Sequence, residues 1–178
     1  MKPTLQFDSG RLRPARHEDL ERLLAVLRAP VVRRFLCDAR VVSRDEGQEM
    51  LATSELLDRR GLGLWAIEGG EGHVAGFVGL GSVSDALAHL SDMAGQIEPL
   101  VALHPDSFGQ GLATAALRAL IGYAAVPLRL PRLVAAVDLQ NLASHALMGR
   151  CGFCRVRTVP GPAQRLVLYR LDLGRISR

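Results

Sequence analysis

The stretch "HPDSFGQGLATAAL", residues 104–117, is where an apolar strand pattern gives way to a helical one. Gly109 and Gly111 let the backbone turn tightly and approach a ligand closely. The free N–H groups of the first helical turn then point at one spot, where the helix dipole favours an anion. The stretch predicts a backbone cradle suited to a pyrophosphate, although a tight turn that only caps a helix shows the same pattern.

Two familiar phosphate motifs do not account for this stretch. It lacks the Gly-Lys-Ser/Thr ending of a P-loop. It also lacks the third glycine of a dinucleotide-binding turn, and it follows an antiparallel hairpin rather than the first strand of a βαβ unit. The motif alone therefore does not identify a fold.

The periodicity of apolar residues on either side of this stretch predicts the neighbouring elements. Predicted helices cover residues 16–29, 43–61, 111–125 and 141–151. Predicted strands cover an opening strand or hairpin at 4–15, an antiparallel hairpin of residues 63–69 and 73–83, single strands at 96–104 and 132–139, and a closing hairpin of residues 153–159 and 164–173. This order predicts an α/β (α+β) fold with parallel strands where a helix crosses over, in a single domain over residues 1–178.

Single residues mark several boundaries of these elements. Ser43 and Glu46 have the spacing of a capping box, and Gly61 suits the end of the same helix. Pro30 is predicted to stop the first helix. Pro99 cannot donate to a ladder, so the strand at 96–104 is expected to be irregular or bulged there.

Composition excludes several classes of protein. The chain has 178 residues, of which 48% are hydrophobic and 22% charged, as in ordinary globular proteins. It shows no signal-peptide pattern and no apolar run of the roughly 18–20 residues that span a bilayer, so we expect a cytoplasmic protein without a membrane partner. The net charge of +4 comes without a basic tract, and the five histidines are scattered. We therefore expect neither a nucleic-acid partner nor a metal.

The stretch "RCGFCR", residues 150–155, has the spacing of a redox-active dithiol. Such a thiol normally lies at a helix N-terminus, which lowers its pKa. Here the helix runs into the motif, and Gly152 suits the left-handed residue beyond its end. Cys151 is therefore predicted to lie at the C-terminal end, on the core face. Arg150 and Arg155 could still favour a thiolate, so a thiol-redox protein stays open as an alternative.

A second motif, "AAVDLQNLASHALMGRCGF", follows about thirty residues after the glycines. Together with "FGQGLATAAL" it resembles the GNAT acetyltransferase superfamily, and most of all the branch of ribosomal-protein N-terminal acetyltransferases. The matching residues are Pro105, Phe108, Gly109, Gly111, Ala113, Thr114, Asn141, Ser144, Gly152 and Phe153. The resemblance implies a GNAT-like mixed central sheet of about six to seven strands, splayed in the middle and flanked by about four helices.

The resemblance also implies an acetyl-CoA site. The pyrophosphate would lie on the N–H groups of residues 109–114, and the pantetheine arm between the strands at 98–103 and 132–138. Asn141 could equally be a helix N-cap, and Ser144 could bond back into its own helix. The implied cofactor-binding residues are Leu100, Val101, Ala102, Leu103, Phe108, Gly109, Gln110, Gly111, Leu112, Ala113, Thr114, Asn141 and Ser144.

The implied reaction moves an acetyl group to a primary amine, on a protein N-terminus or a small molecule. We expect Glu98 to act as the base, the N–H of Leu100 or Val101 to stabilise the oxyanion, and Ser144 to act at the thioester. Glu98 could instead be a solvated acid at a strand end. Weaker candidates for the base are His104, Asp92, Glu68 and His73.

Two substitutions relative to the family pattern leave an alternative open. Met148 stands where many relatives place a Tyr as general acid, and Ala115 stands where this branch often has Glu. The chain could therefore be an acyl-CoA-binding protein with degraded catalysis. The acceptor would be held by the first two helices and the loop at 84–95, and Trp65 could line that side or belong to the core. A homodimer is one option for the assembly.

Overall fold

The computed structural model describes residues 1–37, 39–69, 72–161 and 164–175. The strands within these ranges are β1 (Leu5–Phe7), β2 (Gly10–Pro14), β3 (Gly63–Gly69), β4 (Val74–Ser82), β5 (Ile97–Leu103), β6 (Arg132–Asp138), β7 (Cys154–Pro160) and β8 (Arg165–Asp172). The α-helices are α1 (Leu20–Arg28), α2 (Pro30–Leu36), α3 (Arg44–Leu57), α4 (Leu112–Ala125) and α5 (Leu142–Arg150). This order confirms the predicted α/β fold class.

The chain divides into two compact units that interleave along the sequence. The first unit consists of Met1–Leu80 and Leu100–Leu120, and the second of Gly81–Pro99 and Ile121–Arg178. Because the chain crosses between the units within β4, β5 and α4, no linker in the sequence marks a boundary. The single domain over residues 1–178 stays a prediction.

The larger sheet has five strands in the order β1-β2-β3-β4-β5. The ladders β1/β2, β2/β3 and β3/β4 are antiparallel, which confirms the predicted hairpins. In the first unit, leucines of α1 and α3 pack against small and aromatic residues of the strands. This core includes Leu20, Leu23, Leu24, Leu27, Leu51, Ala66, Phe77 and Ala102. The helical spacing of the leucines thus places one apolar stripe on the core.

The predicted helix boundaries hold, with one helix added. α1 ends at Arg28, and Pro30 then occupies the first turn of α2. Sequence reasoning missed α2 because Pro30 was interpreted only as a stop, whereas a proline at the first helical position loses no hydrogen bond. The capping box of α3 is confirmed: the N–H of Glu46 donates to Ser43 Oγ at 3.1 Å, and the N–H of Ser43 donates to Glu46 Oε2 at 2.7 Å.

The second unit contains a three-stranded antiparallel sheet in the order β6-β8-β7. The β7/β8 pairing confirms the predicted closing hairpin, whose Pro162 and Ala163 lie outside the described residues. Parallel strands were predicted where a helix crosses over, and the resemblance implied a sheet splayed between the strands at 98–103 and 132–138; β5 and β6 indeed belong to different sheets. A crossover helix sets the direction of the next strand without ensuring that the two strands hydrogen-bond.

The cysteine motif closes α5 as predicted. Cys151 caps the helix C-terminus, its N–H donating to Leu147 O and Met148 O, and it is buried. Gly152 follows with φ +84°, in the left-handed region. Phe153 is buried in turn, and Cys154 is exposed at the start of β7. The motif therefore serves as a helix end and a core contact.

Candidate active site

A short 3₁₀ turn, Pro105–Ser107, connects the end of β5 to the glycines. His104 caps this turn, because its Nδ1 accepts a hydrogen bond from the N–H of Asp106 at 3.4 Å. The N–H of Ser107 donates to His104 O, and the N–H of Phe108 donates to Pro105 O. His104, a weaker candidate for the base, thus has a local structural role.

The glycine turn, residues 108–111, requires glycine because of its backbone conformation and not because neighbouring atoms lie close to it. Gly109 and Gly111 have φ of +75° and +76°, values that residues with a Cβ rarely adopt. A Cβ built on either glycine would meet no atom within 4 Å. The space beside both glycines is therefore open, which leaves room for a ligand to approach the main chain.

Backbone donors gather at the start of α4. The N–H groups of Thr114 and Ala115 both donate to Gly111 O at 3.1 Å. Within the described ranges, the N–H groups of residues 109–113 show no backbone acceptor. Gly109, Gln110 and Gly111 are exposed. A run of unpaired N–H donors at a helix N-terminus fits a diphosphate. The predicted donor range of 109–114 is therefore narrowed to 109–113, because the N–H of Thr114 already has an acceptor.

The side chains flanking this turn differ in exposure. Phe108 is 46% exposed, which is unusual for a large aromatic and leaves its ring available to a ligand. The Gln110 side chain folds back, its Nε2 donating to Asp106 O at 3.1 Å. Leu112 is buried and anchors the first turn of α4. Any contact that Gln110 and Leu112 make with a cofactor would therefore come from their backbone.

The predicted pantetheine-binding strand residues have mixed burial. Ala102 and Leu103 are buried, whereas Leu100 and Val101 are half-buried. Ala102 belongs to the first unit's core, and a Cβ on Gly76 would come within 2.2 Å of Ala102 O. Gly76 therefore lets β4 approach β5 closely. Pro99 lies inside β5, as expected, while the bulge predicted there stays a prediction.

Glu98, the predicted base, has a half-buried carboxyl that accepts a hydrogen bond from the backbone N–H of Ser84. Burial raises the pKa of Glu98 above its ordinary value, and the Ser84 bond only partly offsets that rise. No ion pair to Glu98 occurs among the residues that the structure describes. A carboxylate with a raised pKa and no cation partner suits general-base chemistry.

The loop at 84–95, predicted to hold the acceptor, is anchored within the second unit. The N–H of Val83 donates to Gln96 O at 3.2 Å and closes the base of the loop. Met93 is fully buried in a cluster with Leu87, Val134, Val159 and Leu168. Asp92 forms an ion pair with Arg157 Nε at 2.7 Å, so this weaker base candidate is already paired.

The start of α5 confirms one role predicted for Asn141. Its Oδ1 accepts a hydrogen bond from the N–H of Ser144 at 3.1 Å, so Asn141 is the N-cap. Asp138, buried at the end of β6, accepts from the N–H of Gln140 at 2.7 Å and fixes the preceding turn. Cofactor contact by Asn141 and Ser144 stays a prediction.

An ion-pair network surrounds the buried Glu68 on β3. Its two carboxylate oxygens accept from Arg11 Nε and Arg13 Nε, each at 2.5 Å. Arg13 also holds Asp19 with two bonds of 2.7 and 2.8 Å. Burial acts to raise the pKa of Glu68 and of Asp19, but the bonds from Arg13 and its neighbours outweigh it and lower both pKa values. Glu68 is therefore an unsuitable base.

Trp65 belongs to the core and does not line an acceptor site. It is fully buried, and its Nε1 donates to Pro3 O at 2.9 Å. The buried Lys2 ammonium lies 5.1 Å from the centre of its ring and donates to Ser54 Oγ at 2.9 Å. The other weak candidate, His73, is exposed in the turn between β3 and β4.

Sequence reasoning missed three features of these regions: the Ser84 bond to Glu98, the Arg13 network, and a contact between His145 and Tyr169. Alternation places Arg11 and Arg13 on one face of β2, but only the register with β3 brings Glu68 opposite Arg11. The sequence carried no comparable signal for the other two, because their partners are 14 and 24 residues apart.

Among the described residues, no helix has both the length and the apolar character needed to cross a bilayer. The same residues contain no group of three or more His, Cys, Asp or Glu side chains able to hold a metal ion.

Comparison with known families identifies the class of this chain. A family model described as "Acetyltransferase (GNAT) domain" matches residues 11–154 of the 178. The chain therefore belongs to the GNAT acetyltransferase family. A comparison with curated proteins gives no significant match.

Solved structures support the same fold. A putative GNAT-family acetyltransferase from Bordetella pertussis is 21% identical, with a TM-score of 0.81 over 95% of this chain and 99% of that one. RimL, a ribosomal L7/L12 α-N-protein acetyltransferase in complex with coenzyme A, is 19% identical, with a TM-score of 0.79 over 96% and 98%. YncA, a putative acetyltransferase from Salmonella typhimurium with acetyl-CoA, is 24% identical, with a TM-score of 0.74 over 93% and 95%.

Proposed function

We propose that this protein is an acetyl-CoA-dependent N-acetyltransferase that acts on a primary amine of a protein N-terminus or of a small molecule. Residues 1–178 would form one acetyltransferase domain, since the family match at 11–154 draws on both compact units. The related structures that contain coenzyme A or acetyl-CoA support the choice of co-substrate.

The glycine turn is the observation that carries this proposal. Gly109 and Gly111 keep the main chain in left-handed conformations beside open space. The adjoining N–H groups of residues 109–113 have no backbone acceptor within the described ranges. A diphosphate would supply the missing acceptors and would also interact favourably with the N-terminal end of α4.

Each step of acetyl transfer has a candidate group on this chain. Bound acetyl-CoA supplies the acetyl group as a thioester. Glu98 takes a proton from the attacking amine as the C–N bond forms and the C–S bond breaks. The backbone N–H of Leu100 or Val101 donates to the carbonyl oxygen as it gains negative charge. Ser144 acts near the thioester, and water protonates the departing thiolate.

The state of Glu98 supports its role as the base. An amine is charged at neutral pH and must lose a proton before it can attack. A base is most effective when its pKa is raised toward the pH of the working solution. Burial supplies such a shift at Glu98, and the Ser84 N–H holds the carboxylate in one place. The arginine partners of Glu68 lower its pKa, and Asp92 is engaged in an ion pair with Arg157.

Calorimetry with acetyl-CoA and a pair of matched glycine variants tests the cofactor site. Gly111→Ala should weaken acetyl-CoA binding by about tenfold or more, because the strained turn no longer aligns its N–H groups. Gly72→Ala is the control, since Gly72 also has φ +76° with nothing within 4 Å of a built Cβ but lies in the β3–β4 turn. Equal binding by the two variants would contradict the proposed cradle.

Mass spectrometry of an amine and peptide library then tests transfer. An N-acetyltransferase should add an acetyl group to at least one class of amine, at a rate that depends on Glu98. The second candidate function, acyl-CoA binding without catalysis, is favoured by Met148, which is buried in α5 and has no proton to donate. Tight binding of acetyl-CoA without any acetylated product would support that candidate.

A further inference from the structure

The side chain of His145 joins α5 to two other segments of the second unit. Its Nδ1 lies 2.9 Å from the hydroxyl oxygen of Tyr169, on β8. Its Nε2 lies 3.2 Å from the backbone carbonyl oxygen of Leu139, in the connection between β6 and α5. Tyr169 is buried, and the two rings are tilted at 43° with centres 5.8 Å apart.

These contacts define the tautomer of the neutral ring. A carbonyl oxygen only accepts hydrogen bonds, so the His145 nitrogen that faces Leu139 must carry the hydrogen. Nδ1 of the neutral ring is then without a hydrogen and accepts from the Tyr169 hydroxyl. The ring thus donates to Leu139 O through Nε2 and accepts from the Tyr169 hydroxyl through Nδ1. These two hydrogen bonds fix the orientation of the ring.

The segment held by this ring contains the cap of α5. The N–H of His145 donates to Asn141 O at 3.1 Å, and Ser144 directly precedes His145 in the chain. Leu139 has a second contact, because its own N–H donates to Arg165 O, on β8, at 2.9 Å. The connection that leads into α5 is therefore attached to β8 through its own backbone and through the His145 ring.

We propose that the His145–Tyr169 pair is a positioning element that keeps Asn141 and Ser144 in place for acetyl-CoA. The inference rests on the proposed function, which assigns those two residues to the cofactor. Neither His145 nor Tyr169 contacts the reacting atoms in this proposal. Loss of the pair leaves a buried hydroxyl without its acceptor, and the first turn of α5 gains freedom that must be lost again on binding.

Steady-state kinetics of four variants test the pair. Tyr169→Phe removes only the hydroxyl, and His145→Ala removes both ring contacts. His145→Asn places an acceptor near the position of Nδ1, and His145→Gln places a donor near that of Nε2. We expect His145→Ala to raise the KM for acetyl-CoA by about tenfold, the three single-contact variants to raise it by about threefold, and kcat to change by less than threefold.

Tyr123→Phe is the matched control, because Tyr123 in α4 is the other tyrosine of the chain and is buried to a similar extent. It should leave the KM for acetyl-CoA within twofold of the wild type. A purely structural role would lower the melting temperature of Tyr169→Phe and Tyr123→Phe alike without separating their KM values, and this result would overturn the proposal. A His145→Ala variant that folds and keeps the wild-type KM for acetyl-CoA would also overturn the proposal.

Nitrogen NMR of the His145 ring provides an independent readout. The neutral ring should carry its hydrogen on Nε2 in the wild type, and Tyr169→Phe should change the Nδ1 resonance. A hydrogen on Nδ1 would overturn the assignment. Wild-type protein that binds no acetyl-CoA in calorimetry would remove the proposed function and the positioning role together, whereas normal binding by every variant would remove the positioning role alone.

Discussion

Two glutamates, the buried Glu68 on β3 and the half-buried Glu98 on β5, have opposite electrostatic environments. Glu68 accepts from two guanidinium groups at 2.5 Å, which outweigh the effect of burial and lower its pKa. Glu98 has the N–H of Ser84 as its partner, so burial dominates and raises its pKa. Both lie in strands, and both are removed from bulk solvent to a large extent.

The difference shows which carboxylate is suited to proton transfer. A carboxylate held by two arginines stays ionised over the working range of pH and contributes to folding. A carboxylate that is desolvated without a cation binds a proton more readily and can take one from an amine. Five predictions, given in decreasing order of expected effect, test this division of roles.

Replacement of the unpaired glutamate should have the largest effect. We expect Glu98→Gln to lower kcat/KM by ~10²–10⁴-fold, the usual contribution of a positioned base. Glu18→Gln is the control, since Glu18 is 69% exposed in a surface ion pair. Steady-state assays with a peptide or amine acceptor measure both. A loss under threefold with an unchanged melting temperature would remove Glu98 from the mechanism.

Removal of the shared cation should affect folding instead of chemistry. Arg13→Gln leaves Glu68 and Asp19 buried without their main partner and should lower the free energy of unfolding by about 3–5 kcal/mol. Arg16→Gln is the control, because its pair with Glu18 is exposed and contributes about 1 kcal/mol at most. Urea denaturation compares the two, and equal midpoints would contradict a structural role for the network.

The pH dependence of that stability follows from the lowered pKa values of Asp19 and Glu68. A carboxyl with a lowered folded-state pKa stabilises the protein above its unfolded-state pKa and loses this effect as the pH falls through the folded value. The difference between wild type and Arg13→Gln should therefore be full at neutral pH and shrink in acid. A difference that grows in acid would contradict the ion-pair network.

The pH dependence of kcat/KM should reflect the raised pKa of Glu98. Because burial raises its pKa, the ionised base is lost at a higher pH than for a free glutamate, whose pKa is about 4.3. We expect kcat/KM to rise with pH through this raised value, and Arg13→Gln to leave the position of that limb unchanged. An acid limb at the pKa of a free glutamate would show that Glu98 is not desolvated during catalysis.

The smallest effect should come from the outer arginine of the network. The Arg11 side chain is 54% exposed, against 14% for that of Arg13. Arg11→Ala should therefore lower the free energy of unfolding by about 1 kcal/mol or less, because solvent screens its attraction to Glu68. Urea denaturation of Arg11→Ala, Arg13→Gln and the double variant measures the coupling. A larger loss for Arg11 than for Arg13 would reverse the proposed order.

Sequence reasoning succeeded where neighbours along the chain define the structure. The helix ends at Ser43 and Gly152, the hairpins and the glycine turn were all predicted from local patterns. It failed at α2, where a proline that stops one helix also starts the next. Element order alone predicted parallel strands across α4, whereas β5 and β6 lie in different sheets, which agrees with the sheet splayed between them that the resemblance implied.

The residues of the candidate site were also predicted only where local sequence or resemblance identified them. Glu98, Asn141 and Ser144 were identified from position and resemblance, and the N-cap role of Asn141 was correctly anticipated. Position and resemblance favoured Glu98 over Glu68 as the base, but nothing in the sequence showed that Glu68 is paired with arginines and Glu98 is not. Their difference depends on Ser84 and Arg13, which are brought near them only by the folded loop and by strand register.

The sequence by itself determined every strand, four of the five described α-helices, the glycine turn before α4 and the family of this protein. These features depend on backbone sterics and on hydrogen bonds between residues a few positions apart. Tertiary structure alone decided which glutamate is paired, that Trp65 belongs to the core, and that His145 meets Tyr169. Desolvation and charge pairing depend on groups that are distant in the chain and become neighbours only when it folds.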